Sequence, residues 1–316
     1  MLEISSVNSK TQIVGSDVVQ SDWRDYFKLL KPRVMYLVIF TGLVGMIIAP
    51  GDIHFITGLI SILAIAFGAG AAGAINMWYD SDIDLVMLRT KDRPIPSGRV
   101  PKEEALTLGV VVGSASLLMM GLFVNIISAL ILLFTIFFYI FIYTMWLKRK
   151  TSQNIVIGGA AGALPPVIGW VSVSGSLDLL PIVLFGIIFI WTPPHFWALS
   201  LSRHDDYLKA NIPMLSIVKG AAHTRLNIFL YTVLLVTISL IPILFKGFDY
   251  IYGVSALSLN IGFLYLAYRV LKDDDSSEKS NNYKHSKALF KYSIAYLFLI
   301  FLSLAVDSKV SNLTYF

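Results

Sequence analysis

Long apolar stretches separated by short polar gaps constrain the fold of this chain more than any other feature. A helix needs about 20 consecutive apolar residues to cross the hydrocarbon core of a bilayer. Nine stretches approach that length, at about 33–50, 55–75, 104–123, 125–146, 154–173, 179–201, 227–245, 250–270 and 288–306. Only 14% of the 316 residues are charged, against about 25% in soluble domains. The sequence therefore predicts an all-α, polytopic membrane protein with nine transmembrane helices.

Lysine and arginine are distributed unevenly between the gaps. Of the 25 basic residues, only Lys246 and Lys309 lie outside the amino-terminal segment, the even-numbered gaps and their flanks. Because positive charge is retained on the cytoplasmic side, the amino terminus is predicted to be inside and the carboxyl terminus outside. The net charge of +5 reflects this placement and does not indicate a nucleic-acid partner.

The amino-terminal segment is polar, and the chain contains no cysteine. Residues 1–25 have no apolar core of a signal peptide, and the missing thiols exclude disulfides, zinc thiolate sites and thioether haem attachment. We expect residues 1–30 to form a polar cytoplasmic segment and residues 31–316 a single nine-helix domain in the cytoplasmic (inner) membrane. The polar gap of residues 272–287 is expected to be a mobile surface loop.

Carboxylates appear in helical register where the second apolar run ends. Asn76, Asp80 and Asp84 are four residues apart, so in a helix successive members drift by only about 40° and share one face. Like charges one turn apart repel, and a membrane boundary adds a desolvation cost, so a cation should compensate them. Carboxylate ligands suit Mg²⁺, which commonly shares its coordination shell with substrate phosphate.

Basic residues follow these acids and could bind the remaining phosphate oxygens. They are Arg89, Lys91, Arg93 and Arg99. The alternative is a solvated loop whose charges only orient the neighbouring helices.

A second polar segment follows the sixth apolar run. It contains Arg203, Asp205, Asp206, Tyr207 and Lys209. Two acidic helix ends that face each other across a cytoplasmic cavity could hold a diphosphate between two Mg²⁺ ions. Alternatively, the two aspartates only form ion pairs with the neighbouring basic residues.

His195 lies about three helical turns from Asp206, inside the predicted membrane region. An ionisable intramembrane residue is a functional hypothesis by default. The alternative is a neutral histidine that donates to a carbonyl freed by Pro193 and Pro194. This proline pair and Pro165-Pro166 are predicted to kink their helices, while the Gly- and Ala-rich second and fifth runs should let helices approach closely.

Two motifs resemble those of a known family. The pattern Asn76-x-x-x-Asp80-x-Asp82-x-Asp84, followed by residues 89–94 (RTKDRP), resembles the first aspartate-rich motif of the intramembrane aromatic prenyltransferases. Residues 191–199 (WTPPHFWAL), with Asp206-Tyr207 and residues 212–215 (IPML), are similar to the branch that acts on haem. The resemblance covers about residues 25–306. The second family motif is usually Asp-x-x-x-Asp, but here Ser202 and Ala210 flank Asp206 at that spacing.

The resemblance implies nine helices around a central cavity that opens to the cytoplasm and laterally to lipid. It implies transfer of the farnesyl group of farnesyl diphosphate to a vinyl group of haem b, with water addition giving haem O. Haem A synthase is then a candidate partner, and Mg²⁺ is the implied cofactor. The implied catalytic residues are Asn76, Asp80, Asp84 and Asp206, of which the three aspartates bind the metal. The implied substrate-binding residues are Arg89, Lys91, Arg93, His195, Arg203, Tyr207 and Lys209.

Other functions remain open at this point. Another member of the same superfamily would transfer a prenyl chain to a quinone precursor or a tetrapyrrole alcohol. A transporter would also be a bundle with broken helices, but it is disfavoured because the charges cluster at one membrane face only. A non-catalytic assembly factor would tolerate replacement of Asp80 and Asp84.

Overall fold

The computed structural model describes residues 22–314, with side chains to residue 311. Within this part of the chain the regular structure is entirely helical, which confirms the predicted all-α fold. The predicted cytoplasmic segment, residues 1–30, lies mostly outside the described residues. Its described end forms a short helix, Trp23–Leu29, whose amino terminus is capped by Asp22.

The first half of the described chain contains six α-helices. They are α1 (Trp23–Leu29), α2 (Pro32–Ile48), α3 (Phe55–Tyr79), α4 (Ser81–Val86), α5 (Lys102–Phe123) and α6 (Ile126–Phe137). Helix α6 continues directly as a π-helical segment, Phe138–Trp146, and then as a 3₁₀ turn, Leu147–Arg149.

The second half contains nine more α-helices. They are α7 (Asn154–Ala163), α8 (Pro165–Ser174), α9 (Leu179–Ser202), α10 (His204–Lys209), α11 (Leu215–Val218), α12 (Ala221–Ser239), α13 (Tyr250–Lys272), α14 (Asp275–Ser280) and α15 (Lys284–Thr314). A 3₁₀ turn, Ile241–Leu244, extends α12.

Eight helical segments among the described residues are long and apolar enough to cross a membrane. They are Phe55–Tyr79, Lys102–Phe123, Ile126–Arg149, Asn154–Ser174, Leu179–Ser202, Ala221–Leu244, Tyr250–Lys272 and Lys284–Ser311. Helix α2 has 17 residues and reaches this length only together with α1, from which it is bent by 51°. The chain is therefore a multi-pass membrane protein, and a ninth span depends on this bent pair.

The largest apolar core lies between α8, α9, α12, α13 and α15. Its biggest fully buried side chains are Trp197, Tyr252, Phe263, Tyr296 and Phe301. The two tyrosine hydroxyls inside it are paired, as a membrane interior requires. For example, Tyr296 donates its hydroxyl to Asn260 Oδ1 at 2.9 Å. The second half of the chain is thus fixed as a bundle, and α10 and α14 lie in the polar connections that follow α9 and α13.

Helices α2 and α8 cross with their backbones in contact. A Cβ atom added to Gly169 would lie 1.9 Å from the Gly42 carbonyl oxygen, and one added to Gly45 would lie 2.1 Å from the Pro166 oxygen. Real Cβ atoms essentially never lie within 3.0 Å of another residue's atoms. Here the obstructing atoms are backbone oxygens, which cannot rotate away as a flexible side chain could. Small residues at this crossing therefore set the distance between the two helices.

We expect Gly169→Ala to lower the free energy of unfolding by at least about 1–3 kcal/mol, because the added methyl group overpacks this crossing. Gly162→Ala is the matched control, since no atom lies within 4 Å of its added Cβ. Thermal unfolding of both variants in the same detergent measures the effect. Equal thermal unfolding midpoints for the two variants would contradict the close contact between the backbones of α2 and α8.

The gap between α13 and α15 differs from the sequence prediction of a mobile loop. It contains α14, which begins with a capping box formed by Asp274 and Ser277. Glu278 of α14 is buried, accepting a hydrogen bond from Ser286 at 2.6 Å and one from Arg225 of α12 at 2.9 Å. Charge composition alone favoured disorder, whereas these buried partners hold the segment in place.

Candidate active site

Asn76, Asp80 and Asp84 form a buried polar row at the end of α3. Helix α3 ends at Tyr79 and α4 begins at Ser81, yet the Asp84 amide still donates to the Asp80 carbonyl at 2.9 Å, so the helical spacing continues. The three residues are only 4%, 0% and 2% exposed, in chain order. Asn76 Nδ2 donates to Asp80 Oδ2 at 2.7 Å. The predicted stacking on one face is therefore observed.

Basic side chains compensate both buried carboxylates. Lys148 Nζ donates to Asp80 Oδ2, and Arg93 Nη1 donates to Asp84 Oδ2 at 2.7 Å. Arg149 Nη2 lies 3.5 Å from Asp80 Oδ1, but this oxygen is enclosed and has no hydrogen-bond donor among the described residues. Removing carboxylates from water requires such partners, and the cluster therefore combines acceptor oxygens with long cationic side chains.

Lys31 approaches the same row from the junction between α1 and α2. Its Nζ donates to Asn76 Oδ1 at 2.6 Å. The backbone of Lys31 is left-handed (φ 51°, ψ 52°), which costs a non-glycine residue about 1–3 kcal/mol and is common at functional sites. Gly73 makes room for it, because a Cβ there would lie 3.3 Å from Lys31 Cδ. The small residues of α3 thus admit a cation beside the carboxylates.

The π-helical segment forms another wall of the cluster. Thr144 Oγ1 accepts a hydrogen bond from Asn76 Nδ2 at 3.1 Å and donates to the Tyr139 carbonyl at 2.8 Å. Tyr143 packs on α7, where a Cβ added to Gly158 would lie 2.1 Å from its ring. π-Helical turns are rare and often mark functional sites. Here the segment precedes the turn that carries Lys148.

The two polar segments of the sequence meet in the structure. Asp206 is 6% exposed, and its Oδ1 accepts a hydrogen bond from the Leu88 amide, just after α4, at 3.4 Å. An apolar cluster joins the same two segments through Ile83, Met87, Ile155, Ala210, Ile212 and Met214. Burial raises the pKa of the neighbouring Tyr207 phenol, and the Arg89 guanidinium partly opposes that rise. This contact supports the predicted facing of the two acidic segments.

The structure does not gather the three predicted metal ligands into one cluster. Among residues 22–311, no group of three or more acidic or histidine side chains lies close enough to hold a metal ion. Asp80 and Asp84 share the row on α3 and α4, whereas Asp206 lies against the chain that follows α4. A Mg²⁺ site built from one or two carboxylates and substrate phosphate does not need a third carboxylate.

Four more of the predicted phosphate-binding residues are exposed to solvent: Arg89, Lys91, Arg203 and Lys209. Arg99 instead pairs with Asp25 at 3.2 Å. Lys91, Arg203 and Lys209 form no ion pair with any acidic side chain that the structure describes. The alternative that Asp206 pairs with Arg203 or Lys209 is therefore wrong for this structure.

Sequence reasoning missed Lys31, Thr144, Lys148 and Arg149. The three basic residues were assigned to the general excess of positive charge at the cytoplasmic face, where they resemble any other interfacial lysine or arginine. Arg149 forms two hydrogen bonds with the exposed Asp82, at 2.7 and 2.8 Å. For Lys148, the one sequence signal of its pairing with Asp80 was its position directly after an aromatic-rich run.

His195 lies in α9, seven residues before its end. It is 8% exposed, and its Nδ1 is 2.6 Å from Ser293 Oγ of α15. It does not bond to a freed carbonyl near the proline pair, so that alternative is wrong. Its ring is stacked on Trp191 and on Phe290, with centroid distances of 4.3 and 4.7 Å. The ring is therefore held in one orientation.

A sequence profile described as the UbiA prenyltransferase family matches residues 38–295, which is most of the chain. The chain belongs to this family, and it is an intramembrane prenyltransferase. The fold and the buried acidic row at the helix end agree with this class.

Within this family, the chain is most readily compared with curated proteins that share one name. Proteins named protoheme IX farnesyltransferase are 52% identical in Granulibacter bethesdensis, covering 98% of this chain and 96% of the relative, and 56% identical in Rhodopseudomonas palustris, covering 90% of each. The protein of that name in Ehrlichia canis is 51% identical over 96% of this chain and its whole length. The chain is thus similar to these enzymes throughout.

Solved structures share the fold at lower identity. A digeranylgeranylglyceryl phosphate synthase matches with a TM-score of 0.73 and 20% identity, covering 90% of this chain and 98% of that protein. A UbiA homologue from Archaeoglobus fulgidus, described as bound to DMAPP and Mg²⁺, matches with a TM-score of 0.66 and 16% identity, covering 86% of this chain and 99% of that one.

Proposed function

We propose that this prenyltransferase moves the farnesyl group of farnesyl diphosphate onto a vinyl group of haem b, giving haem O and diphosphate. The observation that carries the proposal is the buried row of Asn76, Asp80 and Asp84 with its surrounding cations. Relatives of more than 50% identity named for this reaction support the choice of substrates. Haem O would serve terminal oxidases directly or as the precursor of haem A, which makes haem A synthase a candidate partner.

The residues present fit a Mg²⁺ ion. Asp80 and Asp84 offer hard carboxylate oxygens at a membrane boundary, and Asp80 Oδ1 lacks a hydrogen-bond donor among the described residues. These are the residues that would hold the ion, with Asn76 beside them and Asp206 facing from the second segment. When bound, Mg²⁺ neutralises charge on the diphosphate.

The protein's own cations supply the remaining electrostatic stabilisation. Arg93 and Lys148 now bind the carboxylates, and a diphosphate carried into the row would offer them stronger acceptors. Lys31 and Arg149 are two further cations at the row. Cations held beside the departing oxygens would stabilise the charge that develops on them in the transition state. The exposed Arg89, Lys91, Arg203 and Lys209 would guide the diphosphate from solvent toward the row.

The reaction needs no nucleophilic side chain. The bond between farnesyl C1 and the diphosphate oxygen breaks, and the electron pair leaves with the diphosphate. The π electrons of the haem vinyl group then form the new carbon–carbon bond. Water adds to the resulting cation and loses a proton, which gives the hydroxyethylfarnesyl group. The phenol rings of Tyr139 and Tyr143, 5.4 Å apart, offer electron-rich faces near the developing allylic cation.

The proposed arrangement in the membrane follows from the uneven distribution of lysine and arginine between the gaps. Nine spans, with the bent pair α1–α2 as the first, would place the amino terminus inside and the carboxyl terminus outside. Residues 31–316 then form one membrane domain of the cytoplasmic (inner) membrane. The carboxylate row would face the cytoplasm, above a central cavity that receives the isoprenoid and the porphyrin.

Incubation of the purified protein with haem b and farnesyl diphosphate tests the function. With Mg²⁺ present we expect a haem product enlarged by the hydroxyethylfarnesyl group in the mass spectrum, and EDTA should abolish it. Excess Mg²⁺ added after EDTA should restore it. Unchanged haem together with a prenylated phenolic acceptor would instead assign the chain to another branch of the family.

A further inference from the structure

The Nδ1 edge of His195 contacts a hydroxyl group that already has an acceptor. Ser293 Oγ donates to the Phe290 carbonyl at 2.7 Å, and a hydroxyl has only one hydrogen to give. We therefore assign the hydrogen of its 2.6 Å contact with His195 Nδ1 to the histidine, from the hydrogen-bond network. This pattern assigns the proton of the neutral ring to Nδ1 and leaves a lone pair on Nε2.

The Nε2 edge of the same ring is free. It has no hydrogen-bond partner among the side chains and backbone of residues 22–311, and it is not among their fully enclosed polar atoms. Both faces of the ring are covered by Trp191 and Phe290, and Phe196 packs edge-on with a centroid distance of 5.0 Å. Only the edge that carries the lone pair thus remains accessible.

Metal-binding histidines commonly show this arrangement. Their second nitrogen donates to an oxygen acceptor, which fixes the tautomer and the ring orientation and makes the ligating nitrogen more basic. A single axial histidine is sufficient to hold haem iron. Trp191 is itself fixed by a hydrogen bond from Nε1 to the Ser293 carbonyl at 2.8 Å, so α15 positions both the imidazole and the indole that covers it.

We propose that His195 Nε2 is the axial ligand of the iron of the haem substrate. The proposal rests on the proposed function, because it requires an iron porphyrin to occupy the bundle. Helix α9 is continuous from His195 to Ser202, a rise of about 10 Å. Coordination there would hold the porphyrin inside the bundle, about one such rise from the end of α9.

Porphyrin titrations of the purified full-length protein test this role. We expect ferric haem b to bind the wild-type protein with the absorption and electron paramagnetic resonance signatures of imidazole ligation. His195→Ala should lose these signatures and bind haem about tenfold more weakly or worse. Metal-free protoporphyrin IX cannot be ligated, so its affinity should be the same for both proteins. Added imidazole should restore the spectrum of His195→Gly.

Two further variants separate ligation from a structural role. His223→Ala, at an exposed position, is the matched control and should keep the wild-type spectrum. Ser293→Ala should keep the ligated spectrum but weaken haem binding, because the imidazole loses its acceptor. An unchanged spectrum in His195→Ala would overturn the proposal, as would an equal loss of haem and metal-free porphyrin binding. Failure of the wild-type protein to farnesylate haem would overturn the proposed function instead.

Discussion

Replacing Asp80 with asparagine should reduce farnesyl transfer by at least about 100-fold, the effect of removing one preorganised electrostatic group from an active site. The amide would keep the shape of the side chain but remove the charge that faces Lys148 and Lys31. The loss of charge would weaken metal binding and leave the nearby cations to repel each other. Initial rates of haem product formation at saturating Mg²⁺ measure the change.

Asp92→Asn is the matched control for this variant. Asp92 lies in the same polar segment but is exposed, so its activity should stay near that of the wild-type protein. Asp84→Asn should resemble Asp80→Asn, because Asp84 is similarly enclosed and paired with Arg93. Full activity in both Asp80 and Asp84 variants would contradict the catalytic assignment and favour a non-catalytic assembly factor.

Replacing Arg225 with methionine should lower the free energy of unfolding by about 3–5 kcal/mol, because it leaves a buried carboxylate without its partner. Arg225 is 4% exposed and Glu278 is 3% exposed, and their hydrogen bond is 2.9 Å long. Arg225 also donates to Asp275 at 2.8 Å. Denaturant or thermal unfolding in detergent measures the loss.

The double variant Arg225→Met/Glu278→Leu provides the control. It removes both charges, so most of the lost stability should return. Asp275→Asn should have only a small effect, since the Asp275 side chain is 70% exposed and exposed pairs contribute about 0–1 kcal/mol. A double variant as unstable as the single one would show that the ion pair is not the cause.

Local patterns in the sequence were enough to predict several features. Apolar runs of membrane-crossing length predicted the helices, because a lipid-facing segment must satisfy its backbone hydrogen bonds internally. The four-residue spacing of Asn76, Asp80 and Asp84 predicted their shared face, since helical geometry fixes it. The family resemblance of the two polar motifs agrees with the profile match.

Proline shows where local patterns were insufficient. Both proline pairs were predicted to kink their helices. Pro165-Pro166 begins a new helix, α8, after a break at Leu164, whereas α9 runs as one helix through Pro193 and Pro194. The same dipeptide thus has two outcomes. The surrounding tertiary structure decides between these two outcomes, because the dipeptide is identical at both positions.

The sequence by itself determined the membrane class, the helical secondary structure and the acidic face, because each depends on residues close together in the chain. Tertiary structure alone decided which cations compensate that face. Lys31 lies 45 residues from Asn76 and Lys148 lies 68 from Asp80, and such contacts depend on how helices pack. It also decided that Ser293 orients His195 across 98 residues, because a side chain's hydrogen-bond partner is set by the neighbouring helix.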